Sequence, residues 1–225
     1  MKKLQGLGMT SLRTRQRLVE RLTEQGIKDV RILEVMRDTP RHIFLDEALG
    51  SRAYDDMALP IGHQQTISQP FIVARMTELL IEDDKFNEKP LKRSLEIGTG
   101  CGYQTAILAN FSERVVSIER IKPLHERAKS ILSDLKIKNL RLLHDDGKIL
   151  NNMEGNFDAI LSAAAPLKVP NYLLKKLTIG GKLIIPIGDD SSQHLTLIRR
   201  VKKEQFEEKT LDKVLFVPLL KGLVS

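Results

Sequence analysis

Three alternating glycines, set between a strand pattern and a helical pattern, constrain the fold of this chain most strongly. In the sequence LEIGTGCGYQT, apolar residues flank Glu96, and Gly98, Gly100 and Gly102 follow. Glycine has no Cβ and tolerates positive φ, so such a loop turns sharply and lets a ligand approach the backbone. The apolar residues that follow recur at helical spacing. Strand, glycine loop and helix in this order predict the first turn of a nucleotide-binding α/β unit.

The spacing of these glycines disfavours ligands that carry a pyrophosphate. A dinucleotide loop needs a further glycine three residues after the second, and a phosphate loop needs a lysine where Gln104 and Thr105 stand. Acidic residue, x, Gly, x, Gly, x, Gly instead resembles the first motif of S-adenosylmethionine-dependent methyltransferases. The resemblance implies that the loop holds the amino-acid end of this cofactor and that Glu96 pairs with its ammonium group. A turn that merely needs glycines remains the alternative.

The alternation of strands and helices after the loop predicts the fold class. We expect an α/β fold with a doubly wound, mostly parallel, Rossmann-like sheet, because helices separate most of the strands. Its last strands have no helix between them, which predicts an antiparallel pair at one edge. A turn at Gly180-Gly181 is predicted to lead into the strand 182–187. The predicted strands are 115–118, 140–143, 157–161, 182–187, 195–201 and 214–217, and the predicted helices are 124–135 and 169–177.

The segment before the glycine loop is predicted to be an N-terminal helical extension. Apolar residues at helical spacing predict two helices within 11–37 and a third over 69–82. Between them, 53–70 has two prolines and many polar side chains, which predicts a long ordered loop of functional importance. We therefore expect residues 1–82 to form helices and a substrate-covering loop that pack on a cofactor-binding domain, 83–225, as one structural unit.

Composition limits the compartment and the partners. The 225 residues contain no apolar run long enough to span a membrane, and the single cysteine, Cys101, permits no internal disulfide. We therefore expect a cytoplasmic protein without a membrane partner. The net charge of +7 would suit nucleic acid, but the basic residues are scattered among acidic ones, so no nucleic-acid partner is expected. No two histidines have the spacing of metal ligands with a carboxylate or thiol, so no metal is expected.

Acidic residues after the next two predicted strands are candidate cofactor ligands. Glu119 ends the second strand, 19 residues after Gly100, where a carboxylate can accept both hydroxyls of a ribose. Asp146 and Gly147 follow the third strand, where an acidic turn borders the same crevice and can accept a hydrogen bond from an adenine amino group. A plain Asp-Gly turn explains the second pattern equally well.

Ser68 and His63 are candidate substrate-binding residues. Ser68 precedes a helix with Pro70 in its first turn, which predicts an N-cap. The same geometry offers a carboxylate free N–H groups, a partial positive charge and a hydroxyl. No base adjoins Ser68 in the sequence, so we do not expect a nucleophile.

Three segments together resemble the protein-L-isoaspartate O-methyltransferase family. They are PRHIFL at 40–45, AYDDMALPIGHQQTISQP at 53–70 and LEIGTGCGYQT at 95–105, and the later DDG, AAP and FVPL continue the resemblance in order. The resemblance implies methyl transfer from S-adenosylmethionine to the α-carboxylate of L-isoaspartyl residues in damaged proteins. The ester then cyclises to a succinimide, part of which hydrolyses to normal aspartate.

The resemblance also assigns residues. Ser68 matches the active-site serine, Thr66 and Ile67 match the loop over the substrate, and the cofactor positions are Gly98, Gly100, Glu119 and Asp146. Gln64 stands where the family commonly has glycine, and Cys101 where it commonly has serine, but neither removes a group that the reaction requires. We expect a monomer that acts on isoaspartyl-containing proteins and peptides.

Two other functions remain open from the sequence. A methyltransferase of another carboxylate or small molecule would share the cofactor motifs, and comparing isoaspartyl with aspartyl peptides as acceptors separates the two. A non-catalytic module that binds RNA or the cofactor is suggested only by the positive charge. Salt-sensitive RNA binding without methyl transfer would favour that module.

Overall fold

A computed structural model describes residues 8–84 and 86–225, apart from the side chain of Met9. Six α-helices and nine strands are found in this part of the chain, together with four short 3₁₀ segments. None of these helices is long and apolar enough to cross a membrane. In chain order the helices and strands are α1 Leu12–Glu24, α2 Val30–Asp38, β1 Leu59–Gly62, β2 Gln65–Ile67, α3 Pro70–Ile81, β3 Leu91–Ile97, α4 Tyr103–Asn110, β4 Ser112–Glu119, α5 Lys122–Asp134, β5 Leu140–His144, β6 Phe157–Ser162, α6 Asn171–Lys175, β7 Leu177–Gly188, β8 Gln193–Lys202 and β9 Gln205–Val214.

Seven of the strands form one sheet, in the order β5-β4-β3-β6-β7-β8-β9. The pairs from β5 to β7 are parallel, and β8 and β9 add antiparallel to β7. The order reverses between β3 and β6, which is where ligands bind in open α/β sheets. The predicted mostly parallel, doubly wound fold with an antiparallel end is therefore confirmed.

Two hydrophobic clusters lie on the opposite faces of this sheet. Successive residues of a strand point to opposite faces, so Leu161 packs under helices α1 to α5, whereas Ile160 packs with α6 on the other side. Both side chains are fully buried. The central strands are apolar on both faces, as strands covered on two sides must be.

Four details of the predicted elements were wrong. The loop 53–70 contains an antiparallel hairpin, β1–β2, in which Leu59 pairs with Ile67. The glycines at 180 and 181 lie within β7, at an irregularity in its pairing with β6, and do not make a turn before it. The last strand, β9, ends at Val214, so the predicted strand 214–217 does not form. Helix α6 covers only five of the residues predicted as a helix over 169–177.

The outer strand of the antiparallel end, β9, is mostly exposed. It has one strand neighbour, β8, and charged side chains of both signs follow its length: Glu207, Glu208, Lys209, Asp212 and Lys213. Charges on an edge strand oppose pairing with a second sheet.

Candidate active site

A cavity of about 790 Å³ opens at the carboxyl ends of the central strands β3, β4 and β6. It extends from the β1–β2 hairpin, across the glycine loop, to the segment that follows β9. A cavity of this size suits a ligand as large as a nucleoside with an amino-acid tail, together with part of a second reactant.

Two of the three glycines in the loop line this cavity. Gly98 has φ +89°, and a Cβ there would lie 3.4 Å from the Cβ of Ala163. Gly100 has φ +55°, and a Cβ there would lie 3.4 Å from Cδ1 of Ile61 in the hairpin. Both positions favour glycine because L side chains rarely adopt these φ values.

The third glycine has a packing role and does not line the cavity. Gly102 begins α4 with φ +92°, and a Cβ there would lie 2.9 Å from Cδ1 of Leu132 and 3.3 Å from the Cβ of Ala128. The missing side chain therefore lets α5 approach the loop closely. The sequence prediction of Gly102 as a cofactor contact is not supported by this placement.

The carboxylate of Glu119 lines the cavity and is held by two backbone amides. Gly100 N–H donates to its Oε2 at 2.8 Å, and Ile121 N–H donates to its Oε1 at 2.9 Å. Glu119 is buried, so these bonds fix its orientation at the end of β4. The end of β4 is where the sequence placed a ribose-binding carboxylate.

Glu96 is fully buried beneath the loop and does not line the cavity. Its Oε2 accepts hydrogen bonds from the hydroxyls of Thr105, at 2.5 Å, and Ser117, at 2.6 Å. Ser117 in turn shares a 2.6 Å hydrogen bond with Thr99, which does line the cavity. Burial raises the pKa of Glu96 to about 7. Glu96 is therefore not placed to pair with the ammonium group of a cofactor in the cavity. Its hydrogen bonds instead support the glycine loop from beneath.

Asp146 lines the cavity, whereas Gly147 does not. The side chain of Asp146 is only 4% exposed, and its Oδ2 accepts from Gly222 N–H at 2.8 Å and from Lys148 Nζ at 3.1 Å. Gly147 has φ +91° and begins the 3₁₀ segment Lys148–Asn151. Gly147 therefore shapes the acidic turn but is not placed to contact a ligand in the cavity.

The end of the hairpin brings three of the predicted substrate residues to the same cavity. Thr66, Ile67 and Ser68 all line the cavity, and Ser68 is half-buried without a side-chain hydrogen bond to any other described residue. His63 lies at the exposed tip of the hairpin with φ +53° and is not part of the cavity lining. The structure therefore brings three of these four residues to the site.

The predicted N-cap at Ser68 was wrong, because α3 begins one residue later. Gln69 is the N-cap residue and makes no capping bond of its own. Asp56 instead binds the first turn of the helix: its Oδ1 accepts from Phe71 N–H at 3.0 Å. Its Oδ2 accepts from the side-chain amide of Gln69 at 2.9 Å. The helix end expected to hold a substrate carboxylate is thus partly occupied by a carboxylate of the chain.

Two further groups of cavity residues had not been assigned from the sequence. Ala163 and Ala164 follow β6, and their small side chains leave room for a ligand to approach. The segment 214–220 also lines the cavity, and its FVPL sequence was the signal that could have identified it. Within the described residues, no group of three His, Cys, Asp or Glu side chains could hold a metal ion.

The parallel sheet, the glycine-lined cavity at its carboxyl edge and the acidic residue ending β4 define the class of S-adenosylmethionine-dependent methyltransferases. The family model described as protein-L-isoaspartate(D-aspartate) O-methyltransferase matches residues 13–223. The chain therefore belongs to the protein-L-isoaspartate(D-aspartate) O-methyltransferase family.

Individual relatives agree with this membership. The protein-L-isoaspartate O-methyltransferase of Alcanivorax borkumensis is 52% identical over 98% of this chain and 98% of its own length. That of Cellvibrio japonicus is 51% identical over 97% of this chain and 96% of its own. The crystal structure of the Plasmodium falciparum enzyme in complex with S-adenosyl-L-homocysteine has a TM-score of 0.76 at 31% identity, and the match covers 91% of this chain and 97% of that one.

Proposed function

We propose that this chain transfers the methyl group of S-adenosylmethionine to the α-carboxylate of L-isoaspartyl residues in damaged proteins, which starts their repair through a succinimide. One observation carries the proposal. The hydroxyl of Ser68, which has no hydrogen-bond partner among the described residues, and the cofactor-type loop at Gly98 and Gly100 line the same cavity. A methyl donor bound at the glycine loop and an acceptor bound at Ser68 would therefore share one cavity.

The residues present fit the cofactor. Gly98 and Gly100 leave room for close approach to the backbone, and the oriented carboxylate of Glu119 suits ribose hydroxyls. Asp146, which also lines the cavity, offers an acceptor for the adenine amino group. When bound, S-adenosylmethionine supplies a methyl group on a sulfonium, which is a good leaving group without protonation.

The acceptor side needs positioning and does not need a base. A carboxylate is already ionised at pH 7, so no proton has to be removed before it attacks. Ser68 would donate a hydrogen bond to the substrate carboxylate, while Thr66 and Ile67 would cover it and exclude water. Holding two reactants in line accounts for a large part of the rate enhancement of such a transfer. The helix end contributes less than the sequence suggested, because Asp56 already accepts from Phe71 N–H.

The same proposal extends to the state of the protein in the cell. We expect a cytoplasmic monomer that acts on isoaspartyl-containing proteins and peptides, with no nucleic-acid or membrane partner. Cys101 is a buried free thiol, which suits a reducing compartment, and the charged outer strand β9 opposes pairing with a second copy. Light scattering during size-exclusion chromatography measures the mass in solution, and the mass of a dimer would contradict the monomer.

One assay tests the central proposal. Radiolabelled methyl transfer from S-adenosylmethionine is measured with an isoaspartyl peptide and with an aspartyl peptide of the same sequence. We expect base-labile label on the isoaspartyl peptide alone. Equal labelling of both peptides, or labelling of a small carboxylic acid alone, would show that the chain methylates a different carboxylate substrate.

A further inference from the structure

Residues 219–224, here called the 219–224 strap, run back across the carboxyl edge of the sheet after β9. Val224 forms a parallel bridge with Ile121 just before α5. The N–H of Val224 donates to Arg120 O at 2.9 Å, and its carbonyl accepts from Lys122 N–H at 2.9 Å. Leu219 N–H donates to Ala165 O at 2.8 Å, so the strap is fixed at both ends.

Between these two anchors, both polar backbone groups of Gly222 bind side chains of the cavity wall. Its N–H donates to Asp146 Oδ2 at 2.8 Å, and its carbonyl accepts from Arg120 Nη1 at 3.0 Å. Arg120 and Asp146 both line the cavity. Gly222 has φ +88°, a conformation that glycine adopts without strain, so its place in the strap depends on the residue type.

These bonds leave the two oxygens of Asp146 in different states. Oδ2 accepts from Gly222 N–H and from Lys148 Nζ, at 2.8 and 3.1 Å. Among the described residues, Oδ1 has only a long contact of 3.4 Å, with Lys148 N–H. The hydrogen bond from Gly222 is also the main cause of a lowered pKa of Asp146, which keeps this side chain an ionised acceptor.

We propose that Gly222 is a positioning residue of the cofactor site: its N–H fixes Asp146 Oδ2, so that Oδ1 is held ready to accept from the amino group of the adenine. The inference rests on the proposed function, because it takes Asp146 as the adenine acceptor. The strap is then part of the binding site although Gly222 itself touches no ligand. The 219–224 strap would therefore affect how tightly the adenine is bound, and it would leave binding of the amino-acid end of the cofactor unchanged.

The test compares two ligands that differ only at the base. S-adenosylhomocysteine carries the 6-amino donor, whereas S-inosylhomocysteine carries a 6-oxo group, and calorimetry gives both dissociation constants without any methyl acceptor. We expect the unaltered protein to prefer the adenosine form by about tenfold or more, because a hydrogen bond to a charged group is lost with inosine. Asp146→Ala should abolish the preference.

Gly222→Pro removes the N–H donor and is incompatible with φ +88°. We expect it to reduce the adenine preference several-fold, and to have no further effect on preference in the Asp146→Ala background. Gly180→Ala introduces comparable backbone strain (φ +84°) outside the cavity lining and should keep the preference. If Gly222→Pro does not fold, Arg120→Met, which removes the donor to the Gly222 carbonyl, should lower the preference in the same direction.

The outcomes separate this inference from the proposed function. If the unaltered protein prefers the adenosine ligand but Gly222→Pro keeps that preference, or weakens both ligands equally, the strap has only a structural role and the inference is overturned. If the unaltered protein binds neither compound, the proposed function fails as well.

Discussion

At the scale of single residues, one serine hydroxyl distinguishes the acceptor wall of the cavity. Ser68 is half-buried and has no partner in the described chain, whereas Glu119 and Asp146 on the cofactor side are held by backbone amides. An unpaired donor in a cavity is the group most able to gain a bond when a carboxylate arrives.

Replacing Ser68 by alanine should therefore affect the acceptor and spare the cofactor. We expect kcat/KM for an isoaspartyl peptide to fall about tenfold or more, the effect of one hydrogen bond to a charged group. The dissociation constant of S-adenosylhomocysteine should change less than about twofold. The control Ser130→Ala changes an exposed serine on α5 and should alter neither quantity. Unchanged turnover in Ser68→Ala would remove this serine from the mechanism.

A second residue-scale prediction concerns pH and the buried Glu96. Its pKa is raised from 4.5 to about 7, so the folded state holds a proton that the unfolded state has released between these values. Stability should therefore fall as pH rises from about 5 to 8, by roughly 3 kcal/mol for this group. Glu96→Gln cannot ionise, so its free energy of unfolding should lack that part of the decline. Chemical denaturation of both proteins across this range measures the difference, and parallel profiles would contradict it.

The three glycines of the loop show what sequence alone could and could not supply. Their spacing correctly predicted a cofactor-type turn, because that depends on neighbouring residues. It did not separate Gly98 and Gly100, which line the cavity, from Gly102, whose missing Cβ makes room for Leu132. That contact joins residues 30 positions apart, so no local pattern contained it. The burial of Glu96 escaped for the same reason, since it depends on Ser117 in the neighbouring strand.

At the scale of elements, the position of Ser68 depends on how helix α3 begins. Asp56 accepts from Phe71 N–H in the first turn and from the Gln69 side chain, and Gln25 donates to it at 2.6 Å from the end of α1. The carboxylate of Asp56 thus links the end of α1, the segment just before the β1–β2 hairpin and the start of α3. The sequence pointed to Ser68 as the cap because capping residues usually lie next to the helix, whereas Asp56 reaches it from 15 positions away.

Asp56→Ala should loosen this helix end and, with it, the acceptor wall. We expect a loss of about 1–2 kcal/mol of stability, typical of a lost cap near a helix N-terminus, together with lower kcat/KM for the peptide. Asp55→Ala is the matched control, because the Asp55 side chain makes only a 3.7 Å ion pair with Arg52 among the described residues, and both side chains are 51% exposed. The control should cost less than about 0.5 kcal/mol. Urea denaturation measures the free energy of unfolding of both variants. An equal loss of stability in the two would contradict the capping role of Asp56.

At the scale of the whole molecule, the N-terminal part and the sheet share one hydrophobic cluster. Buried residues of α1, α2 and α3 belong to the same cluster as those of α4 and β6. The buried amine of Lys182 on β7 also contacts Glu82 and Asp83, just beyond α3, at 3.2 and 3.0 Å. We therefore expect 1–82 and 83–225 to unfold together.

Calorimetry tests this cooperativity and the cofactor site at once. A single unfolding transition is expected, and S-adenosylhomocysteine at 100 times its dissociation constant should stabilise the protein by about 2.7 kcal/mol. For a chain of this length that is a rise of about 5–10 °C in Tm. Two separate transitions would show that the N-terminal part and the sheet are independent domains. A Tm indifferent to S-adenosylhomocysteine would argue against its binding to the folded state.

The charged outer strand β9 also bears on the working conditions of a repair enzyme. Damaged polypeptides can expose backbone that pairs with an accessible edge strand. Because Glu207, Glu208, Lys209, Asp212 and Lys213 lie along β9, we expect this edge to resist such pairing with the proteins that the chain is proposed to methylate.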